Sequence, residues 1–253
     1  QTRIDAQTNV KEEFNQELVQ YSVGDQVFEG FVSYKNSDQN KKPIVLIIHE
    51  WWGMGDYVKN RAKQLAALGY LVFAIDLYGK GKYADNPTEA GKLASELYKN
   101  PDIAKKRFDA ALLKIKTYAN ADTNRIAAIG YCFGGAMVLN MARLGEDLKG
   151  VVSFHGNLRG VKVDKNLFKS KVLICHGEAD QFVTQSEVKY FKSEMDSLGL
   201  DYKFKSYPIA THAFSNPDAT EIGKKFSIPI AYDKNADLTS WIDMKKFLKK
   251  VLK

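Results

Sequence analysis

The stretch Arg125-Ile-Ala-Ala-Ile-Gly-Tyr-Cys-Phe-Gly-Gly-Ala-Met-Val-Leu139 restricts the fold more than any other part of the chain. Residues 126–129 form an apolar run, expected of a buried strand, and 136–142 are expected to be helical. The glycines of Gly130-Tyr131-Cys132-Phe133-Gly134 fall where one becomes the other. Such a turn is very tight. Its apex residue is held in a strained conformation, and glycine two places to either side lets strand and helix approach closely. The spacing is that of a nucleophile elbow with cysteine in place of serine. It aims the Cys132 sulfur at the carboxyl edge of a sheet, beside a helix N-terminus whose partial positive charge suits an anion, and it offers the Phe133 N–H as an oxyanion donor. A buried core cysteine between packing glycines would leave the same letters, so the partners must decide.

The rest of the chain supplies a sheet for this turn. Residues 17–23 and 26–34 read as an antiparallel hairpin around Gly24-Asp25, and 43–48 is a continuous apolar run, as in a strand covered on both faces. Helix patterns over 57–68, 87–98, 102–118 and 185–198 alternate with strand patterns over 70–75, 148–154, 171–175 and 201–207, and a C-terminal helix follows. The alternation predicts an α/β fold: a mostly parallel sheet wrapped by helices on both faces, with ligands at the carboxyl ends of its strands. With 253 residues this is one domain over 17–253, preceded by a flexible segment over 1–16. The chain opens on Gln1, which leaves room for a cleaved signal and leaves the compartment open.

No apolar run approaches the roughly 18 residues of a membrane span. The formal charge of +7 comes from lysines spread over several segments, and those of 245–253 alternate with Trp241, Met244, Leu248 and Val251 as on a solvated helix face. That argues against a nucleic-acid partner. Cys132 and Cys175 are too few for a disulfide framework, and one strand between them would set them about 9–10 Å apart, so both are expected as free thiols.

A thiol nucleophile needs a base, and the base needs a group to orient it. The chain has four histidines. His49, His155 and His176 end strands, where a structural or pocket-lining role is expected. His212 lies in a loop after the last strand, and Asp180 in the loop after the preceding one. The order Cys132, Asp180, His212 is the order nucleophile, acid, histidine of α/β-hydrolases. Taken alone, Asp180 reads equally well as a helix N-cap or a solvated loop acid. No metal-ligand spacing and no C-x-x-C occurs, so neither a metal nor another cofactor is expected.

The segments G-Y-C-F-G-G, H-G-E-A-D-Q-F-V, T-H-A-F and H-E-W-W-G together resemble the dienelactone hydrolase family of α/β-hydrolases, from about Val19 to the C-terminal helix. The resemblance implies an α/β-hydrolase fold with an eight-stranded core sheet, and a Cys132, His212, Asp180 triad opening esters or lactones through a thioester. It further implies that Glu50 contacts the resting thiol and that the Trp51 N–H is a second oxyanion donor. Burial beside Trp51 and Trp52 would raise the Glu50 pKa; a salt bridge to a lysine is the plainer role for that acid.

Family members that act on dienelactone are similar in holding the substrate carboxylate with two arginines. The corresponding positions here are Lys80 and Asn216. A lysine does not reproduce a planar bidentate arginine, and asparagine has no charge. Trp52, Tyr78, Tyr131 and Phe214 are expected to complete an apolar pocket with Lys80 and Asn216, suited to small uncharged esters. A non-catalytic binding protein on the same fold is the alternative, and a redox thiol is disfavoured because no resolving cysteine lies in reach.

Overall fold

The computed structural model describes residues 14–36 and 40–253. Strands β1 (Phe14–Val23) and β2 (Gln26–Lys35) pair antiparallel around Gly24 and Asp25. β1 thus begins at Phe14, inside the stretch expected to be a flexible lead, because Phe14 to Gln16 pair with Lys35 to Ser33. Residues 1–13 lie outside the described residues. The remaining strands are β3 (Lys42–Ile48), β4 (Leu71–Ile75), β5 (Ala121–Tyr131), β6 (Gly150–Phe154), β7 (Lys171–Gly177) and β8 (Tyr202–Tyr207).

All eight form one sheet in the order β1-β2-β4-β3-β5-β6-β7-β8. The hairpin joins antiparallel through β2 and β4, and every pairing from β4 to β8 is parallel. β3 shows why the apolar run is continuous. Ile44, Leu46 and Ile48 face one layer and Val45 and Ile47 the other, and none of the five is exposed. The first layer comprises α2 (Pro87–Lys99), α3 (Pro101–Lys116), α4 (Phe133–Arg143) and α5 (Gln185–Leu198). The second comprises α1 (Asp56–Ala67) and α7 (Lys234–Val251). Each fully buried Leu, Ile or Val contributes roughly 1.5–3 kcal/mol, so this double-faced core is the main force holding the sheet flat against its helices.

Helix α4 is the most enclosed element, with all eleven residues buried. Its polar members are partnered in part: Asn140 Oδ1 accepts from the Val161 N–H at 3.0 Å and Arg143 Nη2 donates to the Leu158 carbonyl at 2.7 Å, while Arg143 Nη1 is buried without a partner among the described residues. α6 (Ala219–Phe226) was not expected; it buries Ala219 and Gly223 and packs Ile222 and Phe226 on the cluster around Trp52, a one-sided pattern only eight residues long. β6 separates β5 from β7, and Cys132 and Cys175 are both free thiols. No described helix is long and apolar enough to cross a membrane.

Candidate active site

The elbow forms because two glycines let the backbone close on itself. A Cβ on Gly130 would fall 2.0 Å from the Gly134 oxygen, and one on Gly134 would fall 2.2 Å from the Ile48 oxygen. Cys132 takes the strain, with φ 53° and ψ −115° at the N-terminus of α4. Its own N–H is anchored by the Phe154 carbonyl at 2.9 Å and by His155 Nδ1 at 3.1 Å. The sulfur is left half-buried in the wall of a cavity of about 270 Å³ at the carboxyl edge of the sheet. The Phe133 N–H, in the first turn of α4, has no intrahelical acceptor and is available to a developing oxyanion.

His212 lines the same cavity. Its Nδ1 is 2.9 Å from Asp180 Oδ2, so Nδ1 carries the proton and Nε2 is left as the base. The other Asp180 oxygen accepts from the Phe182 N–H at 2.8 Å and the Val183 N–H at 3.2 Å. Asp180 therefore both shapes its own turn and orients the imidazole. The cap of α5 is Thr184, which relieves Asp180 of that alternative role. Burial opposes a charge on His212, yet the Cys132 charge and hydrogen bonds to Asp180 and Cys132 outweigh it and push the imidazole up to about 10. A thiolate beside it would hold it as imidazolium.

Glu50 completes the inner wall. It has no ion-pair partner among the described residues; its Oε2 accepts from Asn216 Nδ2 at 2.7 Å. Burial pushes its carboxyl up to about 7, although the Asn216 amide and the His212 charge pull the other way. The preceding His49 is pinned as a neutral tautomer: Nδ1 donates to the Glu50 carbonyl at 2.6 Å, and Nε2 accepts from the Leu77 N–H at 3.2 Å.

A buried chain of polar groups braces the elbow against the His212 loop. Because His155 Nδ1 accepts from Cys132, its Nε2 must carry the proton and donate to Ser215 Oγ at 2.8 Å. Ser215 Oγ lies 2.7 Å from the Tyr57 hydroxyl, and Arg61 ties Tyr57, the Ser215 carbonyl and Asp237 together. Burial and the neighbouring His212 charge keep His155 neutral. His176, the fourth histidine, is buried away from the cavity with no partner for Nε2. Among the described residues no group of three His, Cys, Asp or Glu is arranged to hold a metal ion.

A half-buried thiol, an imidazole oriented by a carboxylate and an amide at the N-terminus of α4 around one cavity make an arrangement able to attack a carbonyl carbon. Residues 28–252 match the model of the Dienelactone hydrolase family. The chain belongs to this family. It is a carboxylic ester hydrolase, acting on ester or lactone bonds. Among curated relatives, Protein usf of Aquifex pyrophilus is 32% identical over 185 residues, covering 71% of this chain and 80% of that protein. Among solved structures, one titled m3DLH is 29% identical with a TM-score of 0.89, covering 95% of this chain and 99% of its own. Another, the dienelactone hydrolase-like promiscuous phosphotriesterase P91 from metagenomic libraries, is 28% identical with a TM-score of 0.87 and the same coverage.

In this hydrolase Trp51, Trp52 and Glu50 line the cavity, but five residues expected there do not. Tyr78 is in the core, packed on His49 and Phe133, with its hydroxyl donating to the Trp51 carbonyl at 3.1 Å. Tyr131 precedes the apex, and strand alternation sends it to the opposite layer, stacked on Phe154 and beneath Arg61. Phe214 is fully buried against Tyr207 and His155. Lys80 is turned toward the β-hairpin by Gly79, at φ 122°, and pairs with Glu29 at 3.2 Å. Asn216 reaches the site only through Glu50. The residues that do form the walls include Gly91, Ala94, Ser95, Tyr98, Asn157, Phe182 and Ile230. The α2 members were legible in principle, since 91, 94, 95 and 98 share one helical face; Asn157 and Ile230 carry no local signal.

Proposed function

We propose that this enzyme hydrolyses small uncharged carboxylic esters or lactones, with Cys132 as nucleophile, His212 as base and Asp180 as the group that orients His212. The observation that carries this reading is Cys132 at a positive-φ apex on the wall shared with a histidine whose tautomer Asp180 determines. His212 takes the thiol proton as sulfur attacks the ester carbonyl carbon, and the Phe133 and Trp51 N–H groups hold the resulting oxyanion. Imidazolium then gives its proton to the departing alcohol, leaving a thioester. Water, deprotonated by His212, cleaves the thioester and regenerates the thiol. Glu50, whose carboxyl burial pushes up to about 7, is a neutral acid on the same cavity wall as the thiol below that pH.

His212→Ala is expected to lower kcat/KM for an aryl ester at least about 10³-fold, because nothing else takes the proton. Asp180→Asn, which misplaces the base without removing it, should cost less, about 10²-fold. Stopped assays of both variants beside His49, His155 and His176 replacements check the assignment, and another histidine proving the more indispensable one would sink it.

The preference for uncharged substrates follows from the walls. No Lys or Arg lines the cavity among the described residues, and Glu50 does. A substrate carboxylate would lose its water without gaining charge-assisted contacts worth roughly 1.5–3 kcal/mol each. The expected result is that a methyl-ester analogue is cleaved at least as well as the carboxylated lactone, by kcat/KM, and that Lys80→Ala leaves the ratio unchanged. A preference for the anion above about tenfold, equivalent to about 1.4 kcal/mol, contradicts it.

A further inference from the structure

One wall of the cavity is a single face of α2. Gly91, Ala94, Ser95 and Tyr98 follow the spacing i, i+3, i+4, i+7, while Ala90 and Leu97 are buried beside them. The two smallest residues stand together at one end, and a Cβ added to Gly91 would meet nothing within 4 Å. Cavity room is therefore set here by the absence of side chains. At the other end stand two hydroxyls, of Ser95 and Tyr98, and Asn157 adds an amide from the loop after β6. None of these three side chains has a hydrogen-bond partner among the described residues. Much of the remaining lining is apolar: Trp51, Trp52, Phe182 and Ile230.

Beyond Glu50, Cys132 and His212, three neutral polar side chains in a largely apolar cleft define a ligand chemistry. A hydrocarbon acyl chain would strip water from all three and return nothing, whereas a carboxylate would meet Glu50 with no cation to balance it. An uncharged oxygen or amide satisfies them. Resting on the reading of Cys132 as nucleophile, we infer that the acyl group of the natural ester carries an uncharged hydrogen-bonding group, an ether, hydroxyl or amide, received by Ser95 and Tyr98 of α2 and by Asn157. The Tyr98 hydroxyl is a phenol, protonated near neutral pH, so it serves as a donor. Ser95, Tyr98 and Asn157 are specificity-determining residues in this assignment, and Gly91 with Ala94 sets the length of acyl group admitted.

The test compares two aryl esters of equal heavy-atom count, p-nitrophenyl butyrate and p-nitrophenyl methoxyacetate, in which one methylene is replaced by oxygen. Each rate is divided by that ester's hydroxide-catalysed rate to remove intrinsic reactivity. Wild type is expected to prefer methoxyacetate about tenfold in normalised kcat/KM. In Tyr98→Phe, Ser95→Ala and Asn157→Ala the normalised preference should fall toward one, because methoxyacetate hydrolysis loses more than butyrate hydrolysis. Gly91→Val should lower turnover of both esters relative to p-nitrophenyl acetate. Equal losses on both esters, or a wild type that favours butyrate, would overturn the inference and leave the hydrolase intact. No turnover of any of the three esters, and no acylation of Cys132, would instead remove the nucleophile assignment on which it rests.

Discussion

Cys132→Ala is expected to lose at least about 10⁴-fold in kcat on any ester the wild type hydrolyses, while keeping its fold. On the proposed mechanism the loss is large because the thiol forms the covalent intermediate; the amides and the cavity remain but have no nucleophile to serve. The fold survives because alanine retains the Cβ that the strained apex already accommodates, and because the contacts holding the elbow are made by Gly130, Gly134 and the Cys132 backbone. The second cysteine provides the control. Cys175 faces the α1 and α7 layer, where burial pushes its thiol up to about 12 and only the Tyr207 hydroxyl reaches it, at 3.5 Å. Cys175→Ala should leave kcat within about twofold and cost roughly 1 kcal/mol of stability. Mass spectrometry after iodoacetamide should show one rapidly modified cysteine in wild type and in Cys175→Ala, and none in Cys132→Ala. Full activity in Cys132→Ala would end the assignment.

Glu50→Gln is expected to trade function for stability. The Glu50 carboxyl is raised from 4.5 to about 7 by burial, so its charged form is penalised in the folded protein. Below about pH 4.5 folded and unfolded chains both hold the proton and the residue adds no pH dependence. Between there and about pH 7 the unfolded chain releases a proton that the folded chain keeps, so stability falls as pH rises. Above pH 7 the full penalty, about 3 kcal/mol, is present. Glutamine removes the titration and can still accept from the Asn216 amide. Urea unfolding should therefore show Glu50→Gln more stable than wild type by up to about 3 kcal/mol at pH 8 and little different near pH 4.5. Its esterase activity should fall about tenfold or more, since the only carboxylic acid lining the cavity among the described residues is gone. A stability difference of the same size at both pH values would show that Glu50 is not the buried titrating group.

The sequence alone determined the sheet, the elbow and the order of Cys132, Asp180 and His212, because each is written in a local signal. Apolar runs report double-faced strands, glycines report a close backbone approach, and loop positions after successive strands report one edge of a parallel sheet. The rest depended on which way side chains turn once the chain is packed. Tyr131 was within reach of a periodicity argument: the alternation that places Ala127 and Ile129 in the α1 and α7 layer places Tyr131 there too. Lys80, between the positive-φ Gly79 and Gly81, pairs with Glu29 rather than entering the cleft, and for Asn216 the deciding partner lies 166 residues away at Glu50. The bracing of the elbow through His155, Ser215, Tyr57 and Arg61 joins residues from four separate segments. Contacts of that kind depend on the relative placement of distant elements, which no spacing along the chain encodes, so only the tertiary structure decided them.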